Sequence, residues 1–309
     1  MTTALLTHPA CLAHAVPRGH PECPERLAAV LDALSAPAFA ALLREEAPRA
    51  TDEALERVHP RRLIDALLAA VPREGFAAID GDTSLSPGSG EAALRAAGAL
   101  TRAVDLVLAG TVKNAFCAVR PPGHHAEPER PMGFCLFNNV AVGALHARAA
   151  HGLSRIAVID FDVHHGNGTQ ALFESDGDLF FASTHQSPLY PGTGRPGERG
   201  IAGNILNVPL PPGAGGPAFR QAMTEAILPA LADFKPDFVM ISAGFDAHKA
   251  DPLASLAFEE ADYAWATARI AAAADKLCDG RLVSTLEGGY DLDALSASAA
   301  AHVTALMAA

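Results

Sequence analysis

Short, uninterrupted apolar runs alternate along the chain with longer segments rich in alanine and leucine. In Ala115–Arg120, Arg155–Asp160, Leu179–Ser183, Asp237–Ser242 and Arg281–Leu286 the apolar residues run on without alternating, as in strands buried on both faces of a parallel sheet. Around them the spacing predicts helices over Pro24–Leu34, Pro60–Val71, Gly90–Leu108, Asn138–Ala150, Pro217–Phe234, Phe258–Leu277 and Leu292–Met307. That alternation predicts an α/β protein whose helices cover a mostly parallel sheet. No linker, repeat or shift of composition divides the 309 residues, so a single domain over 1–309 is expected. Turn-forming residues gather at Gly75–Gly90, Pro121–Gly133, Ser187–Gly203 and Pro209–Pro217, and three of these stretches follow strands closely enough to wall a site.

Composition narrows the function classes. Half of the residues are hydrophobic and 19% are charged, which excludes a disordered chain and supplies a large core. Lys and Arg number 23 against 35 Asp and Glu, a net charge of −12 without a basic run, so a grip on a phosphate backbone is not expected. A lysine-bearing peptide would meet a favourable long-range field. Five cysteines, Cys11, Cys23, Cys117, Cys135 and Cys278, form no C-x-x-C pair, as in a reduced intracellular chain. The first 14 residues lack the basic and continuous apolar regions of a signal peptide, and no window reaches a membrane span, so the cytoplasm is the expected location. The abundance of alanine suits a high-GC, bacterial source.

Ligands of open α/β sheets bind outside the carboxyl ends of the strands. Directly after the five strands, in chain order, stand His124 and His125, then Asp162, His164 and His165, then Thr184 and His185, then Asp246 and His248, then Glu287 and Tyr290. Asp162 and His164, two apart at a strand end, point to one side and can share a metal ion. Asp246 is the natural third ligand, giving an Asp₂His set with a position left for water, as in catalytic rather than structural zinc sites. Zn2+ leads, and the carboxylates also suit Fe2+, Co2+ or Mn2+. A lone Asp-x-His is more often a surface turn or a satisfied polar pair. The tandem histidines, the glycine-flanked tyrosine and the second strand-end aspartate are separate features that such an explanation leaves unexplained.

These motifs resemble the zinc-dependent histone deacetylase family, which includes acetylpolyamine amidohydrolases and shares the arginase fold. The similarity runs in order through His20–Arg26 (HPECPER), Arg120–Glu127 (RPPGHHAE), Gly133–Cys135, Asp160–Gly168 (DFDVHHGNG), Pro191–Gly194, Ala243–His248, Asp251–Leu253 and Glu287–Tyr290, nearly the whole chain. The resemblance implies a three-layer α/β/α fold around about eight mostly parallel strands, and again Asp162, His164 and Asp246 as metal ligands. It implies that His125 takes a proton from water and returns it to the departing amine, while His124, held by Asp160, orients and stabilises. Tyr290 would donate its hydroxyl to the substrate carbonyl. Asn167 stands where class I members carry aspartate, a class II-like feature that leaves His125 less basic. Phe134 and Tyr190, with Gly133 and Leu253, would line a narrow tunnel for a methylene chain. Asp160, Asp162, Ser183, Thr184 and the His164 carbonyl match a structural K+ site, and Arg26 an inner channel for the released acid. His20 and His185 receive structural roles, and His248 a place at the pocket rim.

Polyamine-selective members carry a glutamate at the pocket mouth, where this chain has Leu253, so an acyl-lysine or small N-acyl amine ranks above a polyamine. Asp251, Glu127 or Glu129 would supply any acidic rim. The alternatives are an acetylpolyamine deacetylase, a hydrolase of another small amide, and a catalytically silent acyl-lysine binding module. His165 and Asn167, where a dinuclear hydrolase would need further carboxylates, favour one metal. Gly213–Gly216 is too weak for a phosphate loop and there is no G-x-S-x-G elbow. The expected partner is a small molecule or acyl-lysine peptide, with no nucleic acid and no membrane; a homo-oligomer stays open.

Overall fold

The computed structural model describes residues 2–309. Its strands are β1 Thr3–Thr7, β2 Leu43–Glu46, β3 Ala77–Ala78, β4 Ser84–Leu85, β5 Asn114–Cys117, β6 Ile156–Asp160, β7 Leu179–Gln186, β8 Ile205–Leu210, β9 Phe238–Ala243 and β10 Leu282–Leu286. The helices are α1 Ala10–Ala13, α2 Pro24–Ala33, α3 Asp52–Glu56, α4 Arg61–Ala69, α5 Ser89–Leu108, α6 Asn139–His151, α7 Asn167–Phe173, α8 Gly216–Ala222, α9 Leu228–Phe234, α10 Glu260–Cys278 and α11 Leu292–Ala308. Eight strands form one sheet in the order β2-β1-β5-β10-β9-β6-β7-β8, with β3 and β4 a separate antiparallel pair. Every pairing in the large sheet is parallel.

The five apolar runs became β5, β6, β7, β9 and β10, five of the six interior strands, where every residue is buried; the sixth, β1, was not foreseen. Helices sandwich them: α5 and α6 pack together over β5, β10, β6 and β9, while α11 packs between α2 and α10. This is the α/β layering that the alternating pattern predicts. Both edge strands escaped the pattern. β2 reads Leu-Arg-Glu-Glu and β8 contains Pro209, the charge and proline that blunt sheet edges and mask a strand signal. β5 stops at Cys117 rather than running to Arg120, whose buried guanidinium turns to Glu22.

The short helices α1, α3 and α7 were not foreseen, and two of the expected helices differ from the pattern. The expected Pro217–Phe234 helix contains a π turn over Met223–Ile227 before α9. Pro229 has no N–H to give, so the ladder loses a bond there and widens by one residue. α10 starts at Glu260, not Phe258, because Glu259 and Asp262 form a reciprocal capping box.

Candidate active site

The register of the parallel pairs aligns Cys117, Thr285, Ser242, Asp160 and Ser183 across five neighbouring strands. Their succeeding loops therefore leave the sheet along one edge. β10 and β9 insert between β5 and β6 in the strand order, a reversal that opens a crevice where their loops diverge.

Asp162 and His164 follow β6, Asp246 follows β9, and their ligand atoms lie within 4.8 Å of one another. Nδ1 of His164 is 3.1 Å from both Asp162 Oδ1 and Asp246 Oδ2. The carboxylates are aimed by backbone donors: Gly288 N–H to Asp162 Oδ2 at 2.8 Å, and Val163 N–H to Asp246 Oδ1 at 2.9 Å. Glycine is required beside them. A Cβ at Gly288 would come within 2.0 Å of Asp246 Oδ2, and one at Gly244 within 2.0 Å of Asp162 Oδ2. Burial and the Asp162 charge push Asp246 up to about 7. Burial would also raise Asp162, but the charges of His124 and His164 hold it well below the usual carboxylate range. Burial opposes a charged His164, yet its two carboxylates raise it to about 10. Two carboxylates and one imidazole converging in a buried cradle form a donor set that fits Zn2+, Fe2+ or Co2+.

The tandem histidines lie beside this cradle. His124 Nδ1 donates to Asp160 Oδ2 at 2.9 Å, and its Nε2 is 3.8 Å from Asp162 Oδ2. Burial would keep His124 neutral, but Asp160 and Asp162 raise it to about 10. His125 moves the other way: burial, then the charges of His124 and His164, hold it well below its ordinary value. Its Nδ1–H donates to Asn167 Oδ1 at 2.8 Å. One group that the pattern left without a role is Glu287. Its buried carboxylate accepts the N–H groups of Gly123 (2.7 Å) and His124 (3.2 Å) and the hydroxyl of Ser242 (3.1 Å), tying the histidine loop to β9 and β10. Burial raises this carboxyl to about 7. Its position at the strand end was the one available signal.

A cavity of about 250 Å³ opens above these groups, lined by His125, His164, Gly133, Phe134, Tyr190, Leu253 and Tyr290, with Asp82 and Leu189. It is smaller than the roughly 300–1,000 Å³ of pockets for drug-sized ligands, so it suits one slender chain. Tyr190 is 39% exposed and presents its ring edge to His125, which places it at the mouth and not in the core. Tyr290 is fixed by its N–H to Asp251 Oδ2 (2.7 Å) and by the Arg26 guanidinium, 4.8 Å from its ring centre. Arg26 is fully buried and commits its donors to Glu22 and to the carbonyls of Glu287 and Gly289.

The rim differs from expectation. Asp251 is buried and accepts the Leu253 and Tyr290 N–H groups, Glu127 accepts from Asn167, and Glu129 pairs with Arg62. The acid in the lining is Asp82, from the turn-rich Gly75–Gly90 stretch. That turn is bolted to the wall: the Asp82 carbonyl meets His20 Nε2 at 2.9 Å, Thr83 Oγ1 accepts the Phe134 N–H, and the His20 ring lies edge-on to Phe134. His248 is buried outside the lining and accepts the Ala250 N–H, so it is not a rim residue. Beside this cradle, Ser183 Oγ contacts His185 Nδ1 at 2.9 Å, Asp160 Oδ1 accepts the Asp162 N–H, and the buried Thr184 hydroxyl has no partner. His185 also reaches the Gly194 carbonyl, behind the site.

A family model described as the histone deacetylase domain matches residues 20–306. Histone deacetylase 14, chloroplastic, of Arabidopsis thaliana is 43% identical over 308 residues, 93% of this chain and 73% of the relative. A histone deacetylase-like amidohydrolase of Pseudomonas aeruginosa is 43% identical over 279 residues, 88% of this chain and 73% of the relative. A probable deacetylase of Archaeoglobus fulgidus is 42% identical over 95% of this chain and 82% of its own. The crystal structure of the HDA15 HD domain superposes with a TM-score of 0.93 at 37% identity, over 99% of this chain and 88% of that one.

Proposed function

The chain belongs to the histone deacetylase family and is a deacetylase or amidohydrolase of that family, and from this premise we propose that it hydrolyses the amide of an acyl-lysine or small N-acyl amine at Asp162, His164 and Asp246. The observation that carries this is convergence: His164, His125 and Tyr290 line one cavity of about 250 Å³, and the buried Asp162 and Asp246 bring their ligand atoms within 4.8 Å of that of His164. A divalent metal held there, Zn2+ first among the candidates, supplies Lewis acidity that brings the pKa of water down to about 7.

The chain's own residues do the rest. Phe134 and Tyr190 admit the methylene chain and keep water from its sides. Asn167 holds the His125 proton on Nδ1, which leaves Nε2 free to accept a proton from water as its oxygen attacks the amide carbon. His124, cationic between Asp160 and Asp162, offsets the negative charge that builds beside it. Tyr290 donates its hydroxyl to the carbonyl oxygen as that oxygen gains charge. The C–N bond then breaks, and His125 returns its proton to the departing amine. Arg26 steadies the Tyr290 turn, and its positive charge suits release of the acid product. Asp160, Asp162, Ser183, Thr184 and the His164 carbonyl are proposed to hold K+, for which the unpartnered Thr184 hydroxyl is support.

Asp82 in the lining favours a second substrate, an acylated diamine whose free ammonium would meet that carboxylate. The cytoplasm remains the proposed location, supported by five unpaired cysteines; among the described residues no helix is long and apolar enough to cross a membrane. The test is turnover of the zinc-loaded protein on acetyl-lysine peptide, acetylated diamines and trifluoroacetyl-lysine, each with and without a hydroxamate. Hydroxamate-sensitive turnover is expected, and the ranking selects the amine. Silence on every substrate with stoichiometric metal bound overturns the proposal in favour of a binding module.

A further inference from the structure

A second convergence of metal-binding side chains lies across α5 and α6 and shares no residue with the pocket. Asp105 is in the last turn of α5, and His146 and His151 are on α6. Nε2 of each histidine is 2.7 Å from the same oxygen, Asp105 Oδ1, and the three ligand atoms lie within 4.8 Å of one another. The rings are 5.7 Å apart at 78°, so they approach the oxygen from two directions instead of stacking.

A surface ion pair needs one histidine. Here a single carboxylate oxygen serves two, held by helices that pack along each other, so the cluster is set by the backbone and not by one flexible arm. Burial would raise the Asp105 carboxyl, but His151 and His146 hold it below the usual range, leaving an anionic ligand. The neighbouring cations are already neutralised, Arg102 by Glu45 and Arg148 by Asp176. Side-chain exposures of 17%, 29% and 38% for His146, His151 and Asp105 leave an ion's remaining positions open to water.

We propose that Asp105, His146 and His151 form a second transition-metal site, taking Zn2+ or Cu2+ through two imidazole nitrogens and one carboxylate oxygen. Imidazole selects these ions over Mg2+ and Ca2+, which prefer all-oxygen shells. Ligand bonds of about 2.0–2.1 Å in a tetrahedron set the ligand atoms roughly 3.3 Å apart. The 2.7 Å contacts therefore need to open by only about half an ångström, within reach of partly exposed side chains. The ion would join α5 to α6. The other end of α6 braces the histidine loop, with Asn138 Nδ2 donating to the Ala126 carbonyl and Asn139 Nδ2 to the Pro121 carbonyl. Metal here would thus stiffen the support of that loop without touching substrate.

The test is metal stoichiometry of the whole protein, by Zn2+ and Cu2+ titration calorimetry with elemental analysis, together with melting temperature. The wild type is expected to bind two equivalents, with the second raising the melting temperature. The His146→Ala/His151→Ala variant is expected to bind one, to lose that rise, and to keep its turnover. Saturation of the wild type at one equivalent, or two equivalents in the double variant, overturns the proposal. The wild-type titration decides even if a variant folds poorly.

Discussion

The Nδ1–H of His125 meets Asn167 Oδ1 at 2.8 Å because the other end of that amide is already taken: Asn167 Nδ2 donates to Glu127 Oε1, also at 2.8 Å. Glu127 thereby fixes which way the amide faces, and the amide fixes the imidazole tautomer. The base acquires an orientation without a negative charge at its back, so burial and its cationic neighbours keep it low.

Asn167→Ala removes that choice of tautomer. We expect kcat to fall about 10- to 100-fold with KM within about threefold, less than the roughly 10⁴ lost when a charged orienting aspartate is neutralised to asparagine. Steady-state kinetics check it; an unchanged kcat means that Asn167 does not orient the base.

Tyr290→Phe deletes one donor to the developing oxyanion. The expected loss is about 10²–10³ in kcat, with metal content intact. Activity within about threefold of wild type contradicts the donor role.

Gly288→Ala tests the cradle. Its Cβ would sit 2.0 Å from Asp246 Oδ2 and 2.6 Å from Asp162 Oδ2, so the carboxylates must move. Metal measured by elemental analysis is expected to drop well below one equivalent in a protein that still folds. Full occupancy would show that the ligands do not need that approach.

Acid stability depends in part on three buried histidines, His14, His59 and His302, with His165 and His185 lowered by burial in the same way. Burial lowers His14 and His59 to about 4 and His302 to about 3. Between those values and an unfolded value of about 6.5, the unfolded chain binds protons at these histidines that the native chain refuses, so their contribution to stability falls as pH falls and is flat above the window. Each such group contributes about 1.4 kcal/mol per pH unit across its window, and Glu287, raised to about 7, offsets part of the sum because the native chain keeps a proton there that the unfolded chain releases. Denaturant melts from pH 7 to 4 measure the slope. His302→Gln, which removes the histidine between Thr267 and Ser284, is expected to lower it by about 1.4 kcal/mol per pH unit. A flat profile contradicts this.

Five of the six interior strands were legible because buried parallel strands are written as unbroken apolar runs, and the site because its polar residues come directly after them. The acid in the wall and the supports behind it were not. Asp82 sits in a turn whose sequence shows only flexibility, and its place in the pocket depends on His20, 62 residues away. Glu287 was visible at a strand end, but its partners, the N–H groups of Gly123 and His124, belong to a loop 164 and 163 residues distant. Asp251 and Glu127 could be read as rim charges because sequence does not show which carboxylates the backbone has already claimed.

Metal removal bears most directly on the central claim. Protein stripped by a chelator, with metal content verified, is assayed on its best acyl-amine substrate and then given Zn2+ in steps. Turnover is expected to vanish on stripping and to return with the first equivalent, while Asp162→Asn recovers none. Undiminished turnover in verified metal-free protein would contradict the account.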